Sequence, residues 1–264
     1  MLKEIQKKDF ANGSVYLLNT EDGYPIEVTD TFLPYYTKDA IGNKQNKLED
    51  YNLGNRKDRW MVGVSTMSGC PVRCKFCATG SLRKTKLLSV AEIVQQVEFI
   101  FEKIWWRLPK HSKEFKINYT RMGEPFLNIE NVKEAIKILD RRYGEDNIHH
   151  YISTIGIEDS DFSWIKDNIT LQFSIHSFDE EYRDWLIPYR KKMKLEDIGK
   201  VETESNLKTT LNMTIVREED FNINELKRIF DKDKFFVKIS PINPNDIAEK
   251  NNINSGVIKQ ENLI

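Results

Sequence analysis

From Met61 onward, short apolar runs alternate with stretches of helical periodicity. Met61–Ser65 (MVGVS), Phe115–Tyr119 (FKINY), Tyr151–Thr154 (YIST), Leu171–Ile175 (LQFSI), Leu207–Val216 (LKTTLNMTIV) and Phe235–Ser240 (FFVKIS) have the character of strands. Between them, Ser89 and Glu92 are spaced as a capping box, and Val90, Ile93, Val94, Val97 and Ile104 follow at helical intervals. Val132, Ala135, Ile136 and Leu139 share one face of a second helix, and Ile223–Phe230 reads as a third. Strands separated by helices predict an α/β fold of parallel βα units. Right-handed crossovers would curl six units into a partial (βα)6 barrel, with its site at the C-terminal strand ends.

The first ~60 residues lack this rhythm. Val15–Val28 suggests a hairpin turning near Asp22-Gly23, and Thr37–Arg59 reads as a polar loop or short helix. The expected organisation is a short N-terminal extension over 1–60, a core over 61–244 and a weakly ordered tail over 245–264. No internal repeat or low-complexity tract interrupts it.

Composition changes little. The 264 residues are 39% hydrophobic and 31% charged, with 40 basic and 41 acidic side chains and a net charge of -1. Such a balance neither demands nor excludes a nucleic acid, which local patches decide. Leu82–Lys86 (LRKTK) and Tyr189–Lys194 (YRKKMK) are basic, and we read both as solvated faces. Trp105, Trp106, Trp164 and Trp185 read as core or rim residues rather than base-stacking platforms. No apolar run has signal-peptide or membrane-span length, which predicts a cytoplasmic protein with no membrane partner.

The chemistry concentrates in Ser68–Gly80, SGCPVRCKFCATG. It holds Cys70, Cys74 and Cys77, the only 3 cysteines of the chain. An odd, clustered set is a poor disulfide framework and a good set of metal ligands. Structural zinc takes four ligands, usually as two close pairs. No second pair exists here, although His149, His150 or His176 is available as a distant fourth ligand. Three thiolates on an iron–sulfur cubane instead leave one iron open for a cofactor or substrate.

The C-x3-C-x2-C spacing after a first strand, with Phe76 before the third cysteine, resembles the radical S-adenosylmethionine (SAM) superfamily. Val64–Gly80, Arg121–Val132 (RMGEPFLNIENV), Ile152–Gly156, Phe173–Ser177 and Ile239–Pro244 are similar, in order, to segments of its RlmN/Cfr family, the methylases of ribosomal-RNA adenosine. The resemblance spans roughly Tyr24 to Pro244. It implies a 4Fe–4S cluster on the three cysteines and SAM on its open iron. It also implies that Gly123 and Glu124 hold SAM's amino group, that Ser153, Ser174 and His176 contact its carboxylate and ribose, and that Asn243 and the Ile175 backbone lie near its adenosine. Taken singly, Ser153 and Ser174 are ordinary strand-end hydroxyls, Glu124 a solvated loop acid and His176 a packed ring. The implied electron source is a flavodoxin- or ferredoxin-like donor.

The sequence also departs from that family. Its methylases use one cysteine near the C-terminus to carry a methyl group and another on the first strand to resolve the RNA adduct. Gly63 stands at the strand position, and no cysteine follows Asn243. The family's N-terminal RNA-engaging domain has no evident counterpart. A family glutamate that acts as a base has two candidate relatives, Glu27 and Asp30, both expected to be solvated acids of the hairpin. A glycine supplies no thiolate. The expected function is therefore hydrogen abstraction from an unknown substrate after SAM cleavage. The rivals are RNA adenosine methylation with thiols from elsewhere and a non-catalytic SAM and cluster-binding protein.

Overall fold

The computed structural model describes residues 2–33, 53–104 and 109–254. Trp105 and Trp106 and most of the polar segment expected between 37 and 59 lie outside them. The chain forms two packed units.

The first unit takes residues up to 66, then 88–121 and 129–151. β1 (Lys3–Phe10), β2 (Gly13–Asn19) and β3 (Pro25–Leu33) form an antiparallel meander. The hairpin turns where Asp22-Gly23 predicts, with Gly23 at φ 84°. β1 is an addition to the sequence reading. β3 pairs antiparallel with β4 (Arg59–Val64), bringing Thr29 opposite Gly63. β4 then pairs parallel with β7 (Glu114–Tyr119). α1 (Val90–Lys103) starts at the expected capping box and buries Ile93, Val94, Val97, Ile100 and Phe101. α2 (Ile129–Tyr143) buries the four residues assigned to its face. Trp60 is fully buried against Phe101 and Phe115, and its indole N–H donates to Asp30 Oδ1 at 2.7 Å.

Asp30 is thus no solvated acid. It is 1% exposed and also accepts from the Arg56 guanidinium. A buried carboxylate persists only with such partners. Glu27, half-exposed, pairs with Arg121.

The chain passes to the second unit within β8 (His149–Thr154), between Tyr151 and Ile152. This unit also holds 67–87 and 122–128. β5 (Met67–Ser68) and β6 (Lys86–Leu87) form a small antiparallel ladder. β9 (Ile169–Ser174), β10 (Thr209–Met213) and β11 (Phe235–Ile239) pair in parallel. α3 (Glu180–Leu186) and α4 (Leu195–Ile198) lie between β9 and β10, and α5 (Ile223–Ile229) lies between β10 and β11. The parallel pairings establish the α/β class. No helix separates β8 from β9: residues 155–168 connect them through turns. Gly156 and Asp159 take positive φ there, and Asp161 accepts from the Ser163 N–H at 2.9 Å, both of which break helical continuation.

Of the tail expected to be weakly ordered, 255–264 lie outside the described residues, and the described part is ordered. Residues 246–250 form α6 (Asp246–Lys250), capped by the Asn245 side chain on the Ile247 and Ala248 N–H groups. Ala248 and Ile253 are buried. Among the described residues no helix is long and apolar enough to cross a membrane.

Candidate functional site

Two-residue strands β5 and β6 pinch off the loop that carries the three cysteines. Gly69 opens it at φ 67°, where an added Cβ would lie 2.6 Å from the Lys84 carbonyl oxygen. Inside, the Cys77 N–H donates to Cys74 O at 3.1 Å, and the Lys75 N–H donates to Leu186 O at 2.9 Å. The cysteines are free and half-buried. Burial pushes the Cys70 thiol up to about 12, with the charges of Glu124 and Cys77 adding to it. The Cys74 thiol is raised as well, again chiefly by burial. Such thiols stay protonated until a strong electrophile replaces the proton, so loading a metal here releases protons. Among the described residues no group of three or more His, Cys, Asp or Glu is arranged to hold a single metal ion. Thiolates that each take a separate iron of a cluster need no such convergence, and this donor set fits one.

α6 fastens the same loop. Asn245 Nδ2 donates to Phe76 O at 3.0 Å, and Asn251 Nδ2 donates to Lys75 O at 2.8 Å. The sequence reading missed both. A polar asparagine gives no signal of a long-range bond in the sequence, although Asn before a short helix is a recognisable cap.

Glu124 is 4% exposed, not a solvated loop acid. One carboxylate oxygen accepts from the Phe126 N–H at 3.1 Å and the other from the Ile155 N–H at 3.0 Å. Burial raises its pKa to about 7, against hydrogen bonds from Thr154 and those two amides. Gly123 precedes it at φ 104°, and a Cβ there would fall 2.6 Å from Met67 Cβ. Only glycine allows both the turn and the approach.

Ser153 and Ser174, at the ends of β8 and β9, meet through their hydroxyls at 3.2 Å. The Ile175 N–H donates to Asn212 O at 3.2 Å, and the Ser177 N–H to Ile175 O at 2.8 Å. His176 takes φ 60°, and its Nδ1 accepts from the Thr214 N–H at 3.0 Å. Burial lowers its pKa to about 3, so the ring is neutral and its proton is on Nε2. The ring packs edge-to-face on Phe76, centroids 4.9 Å apart. Asn243 is exposed, and its carbonyl accepts from Asn245 Nδ2 at 3.0 Å. A further clamp went unseen in the sequence. Buried Asp220 accepts from Ser177 Oγ at 2.8 Å and from the Val216 and Arg217 N–H groups, fixing the turn after His176.

Of the basic segments, Arg83, Lys84, Arg190, Lys191 and Lys194 are exposed, whereas Lys192 is buried and paired with Asp184. Trp185 is 42% exposed and stacks on Tyr182, a rim position, and the half-buried Trp164 donates its indole N–H to Asp161 O at 3.0 Å.

The family model of the radical SAM superfamily matches residues 64–230. A probable dual-specificity RNA methyltransferase RlmN of Thermosipho melanesiensis is 31% identical over 225 residues, covering 75% of this chain and 64% of that protein. The Thermotoga maritima protein of the same description is 33% identical over 198 residues, covering 71% and 56%. The chain thus spans less than two thirds of the length of these relatives. The crystal structure of a radical SAM methyltransferase from Sphaerobacter thermophilus shares the fold, with a TM-score of 0.65 over 92% of this chain and 67% of that one, at 22% identity.

Proposed function

Because the chain belongs to the radical SAM superfamily, we propose that it holds a 4Fe–4S cluster on Cys70, Cys74 and Cys77, binds SAM beside it, and uses them to abstract hydrogen from a substrate. One observation carries this reading. The chain's 3 cysteines stand unpaired on one loop, close enough to Glu124 for its charge to raise the Cys70 and Cys74 thiols. When bound, cluster and SAM together supply one-electron cleavage of SAM to methionine and a 5'-deoxyadenosyl radical.

The chain's own residues bind and orient. Glu124 accepts from the Phe126 and Ile155 amides and from Thr154, and its remaining acceptor position would take SAM's ammonium in a charge-assisted bond. Ser153 and Ser174 offer hydroxyls, His176 offers its Nε2–H, and the Ile175 backbone and Asn243 border the adenosine. Phe76, locked under His176, keeps the residue before Cys77 from swinging. The electron comes from a flavodoxin- or ferredoxin-like donor, and the protein works in the cytoplasm.

The relatives' description as RNA methyltransferases favours a second reading, adenosine methylation of RNA. Gly63 opposes its two-cysteine route, since the position carries no thiol. A non-catalytic SAM- and cluster-binding role is the third reading. Anaerobic reduction with methyl-labelled SAM separates them. Hydrogen abstraction leaves the label in methionine and yields 5'-deoxyadenosine. Labelled RNA or S-adenosylhomocysteine would restore the methylase reading, and absence of turnover with SAM bound would favour the binding protein.

A further inference from the structure

Gly63 lies inside β4, where glycine weakens a strand, and its φ is not among the positive ones that require glycine. Space accounts for it. A Cβ at Gly63 would overlap Thr29 Oγ1 and would stand 2.9 Å from Arg121 Cδ and 3.2 Å from Arg121 Cγ. The Arg121 N–H donates to Val64 O at 3.1 Å, which fixes its backbone at the end of β4. Its stem then crosses Gly63 and its Nη2 pairs with Glu27 on β3. The Glu27 backbone is pinned in turn: its carbonyl accepts from Ser65 Oγ at 2.7 Å.

The pair is not a core feature. The Arg121 and Glu27 side chains are 36% and 33% exposed, and ion pairs this open to water add little stability. A guanidinium carries five N–H donors in a planar fork. Glu27 engages Nη2, and among the described residues Nε and Nη1 reach no acceptor. The strand has thus given up a side chain to seat a cation whose fork is largely unspent. Two residues later the same segment carries Gly123 and Glu124.

We propose that Arg121 is a specificity residue that binds an oxyanion of the substrate, a phosphate or a carboxylate, and that Glu27 is the internal counter-ion this group displaces. The proposal rests on the radical SAM reading, which takes the C-terminal ends of β4 and β7 as the substrate side. Both anions match the guanidinium fork bidentately.

The test uses the full chain with its iron reconstituted, titrated anaerobically with inorganic phosphate and, separately, acetate, by calorimetry and phosphorus line broadening. Wild type binds at least one anion saturably, and the tighter one identifies the source of the charge. Arg121→Ala weakens binding by about tenfold or more, and Arg121→Lys falls between, because a point charge replaces a fork. Glu27→Gln tightens binding by about tenfold, because the competitor is gone. A purely structural pair predicts the reverse, with Glu27→Gln weakening or not changing binding, and that result overturns the proposal even where Arg121→Ala fails to fold. Iron content and SAM binding in the same wild-type sample report on the cluster separately. A wild type that loads iron and SAM but neither anion overturns the anion site alone.

Discussion

On the loop between β5 and β6, the residues proposed for chemistry are positioned by backbone bonds; around Gly63 on β4, an absent side chain is what positions its neighbours. The Lys75 and Phe76 carbonyls and the Lys75 N–H are all tied, so the cysteines hang from a fixed frame. Thr29 and the Arg121 stem instead occupy the volume that a Cβ at Gly63 would need. The first arrangement tolerates only its own donor atoms. The second is a volume exchange, in which a larger residue at one position answers a smaller one at another.

The largest effect tests the loop. Replacing Cys70, Cys74 and Cys77 by Ala should abolish iron uptake, measured as iron per chain after anaerobic reconstitution. Wild type should approach four irons, as a three-thiolate cubane requires, and stoichiometric zinc without iron would defeat the reading.

Next comes Glu124, whose replacement by Ala removes the proposed partner of SAM's ammonium. A loss of roughly 1.5–3 kcal/mol, or about ten- to a hundredfold in affinity, should follow in calorimetry. Its pKa of about 7 sets the pH dependence. Below that value the carboxyl is neutral in the free protein and SAM must displace a proton. Affinity should therefore rise with pH through 7 and level off above it, by about tenfold between about pH 6 and about pH 8. A flat profile would mean that Glu124 does not meet the ammonium.

A smaller effect sharpens the other side of the comparison. Gly63→Cys should cost about 1–3 kcal/mol in denaturant unfolding, because its Cβ collides with Thr29 and Arg121. Adding Arg121→Gly should recover part of that loss, a coupling visible in a double-mutant cycle. Strict additivity would show that the two positions do not exchange volume. Least is expected from Asn245→Ala, about 1 kcal/mol from the lost cap of α6. It should be accompanied by faster iron loss to a chelator, since the Phe76 carbonyl is freed.

Legibility in the sequence follows the range of the interaction. The faces of α1 and α2, the turn at Gly23 and the cysteine loop rest on residues a few positions apart, and all were readable. β1 was not, because all its residues are exposed and no burial alternation marks it. α6 is short and its evidence is polar. The burial of Asp30 depends on Arg56 and Trp60, 26 and 30 residues away in sequence, so its local surroundings suggested a solvated acid. Gly63 is conspicuous against the family pattern, but only the volume a Cβ would need there shows that Arg121 takes the room it leaves.

The bonds from Asn245 and Asn251 to the cysteine loop join positions 169 and 176 residues apart. A growing chain exposes Cys77 long before it can make either bond. The thiols therefore stand on a loop without its final fastening until α6 has been made, and closing so long a span carries an entropic cost. Iron that needs the fastened loop would therefore bind only after α6 has docked on it.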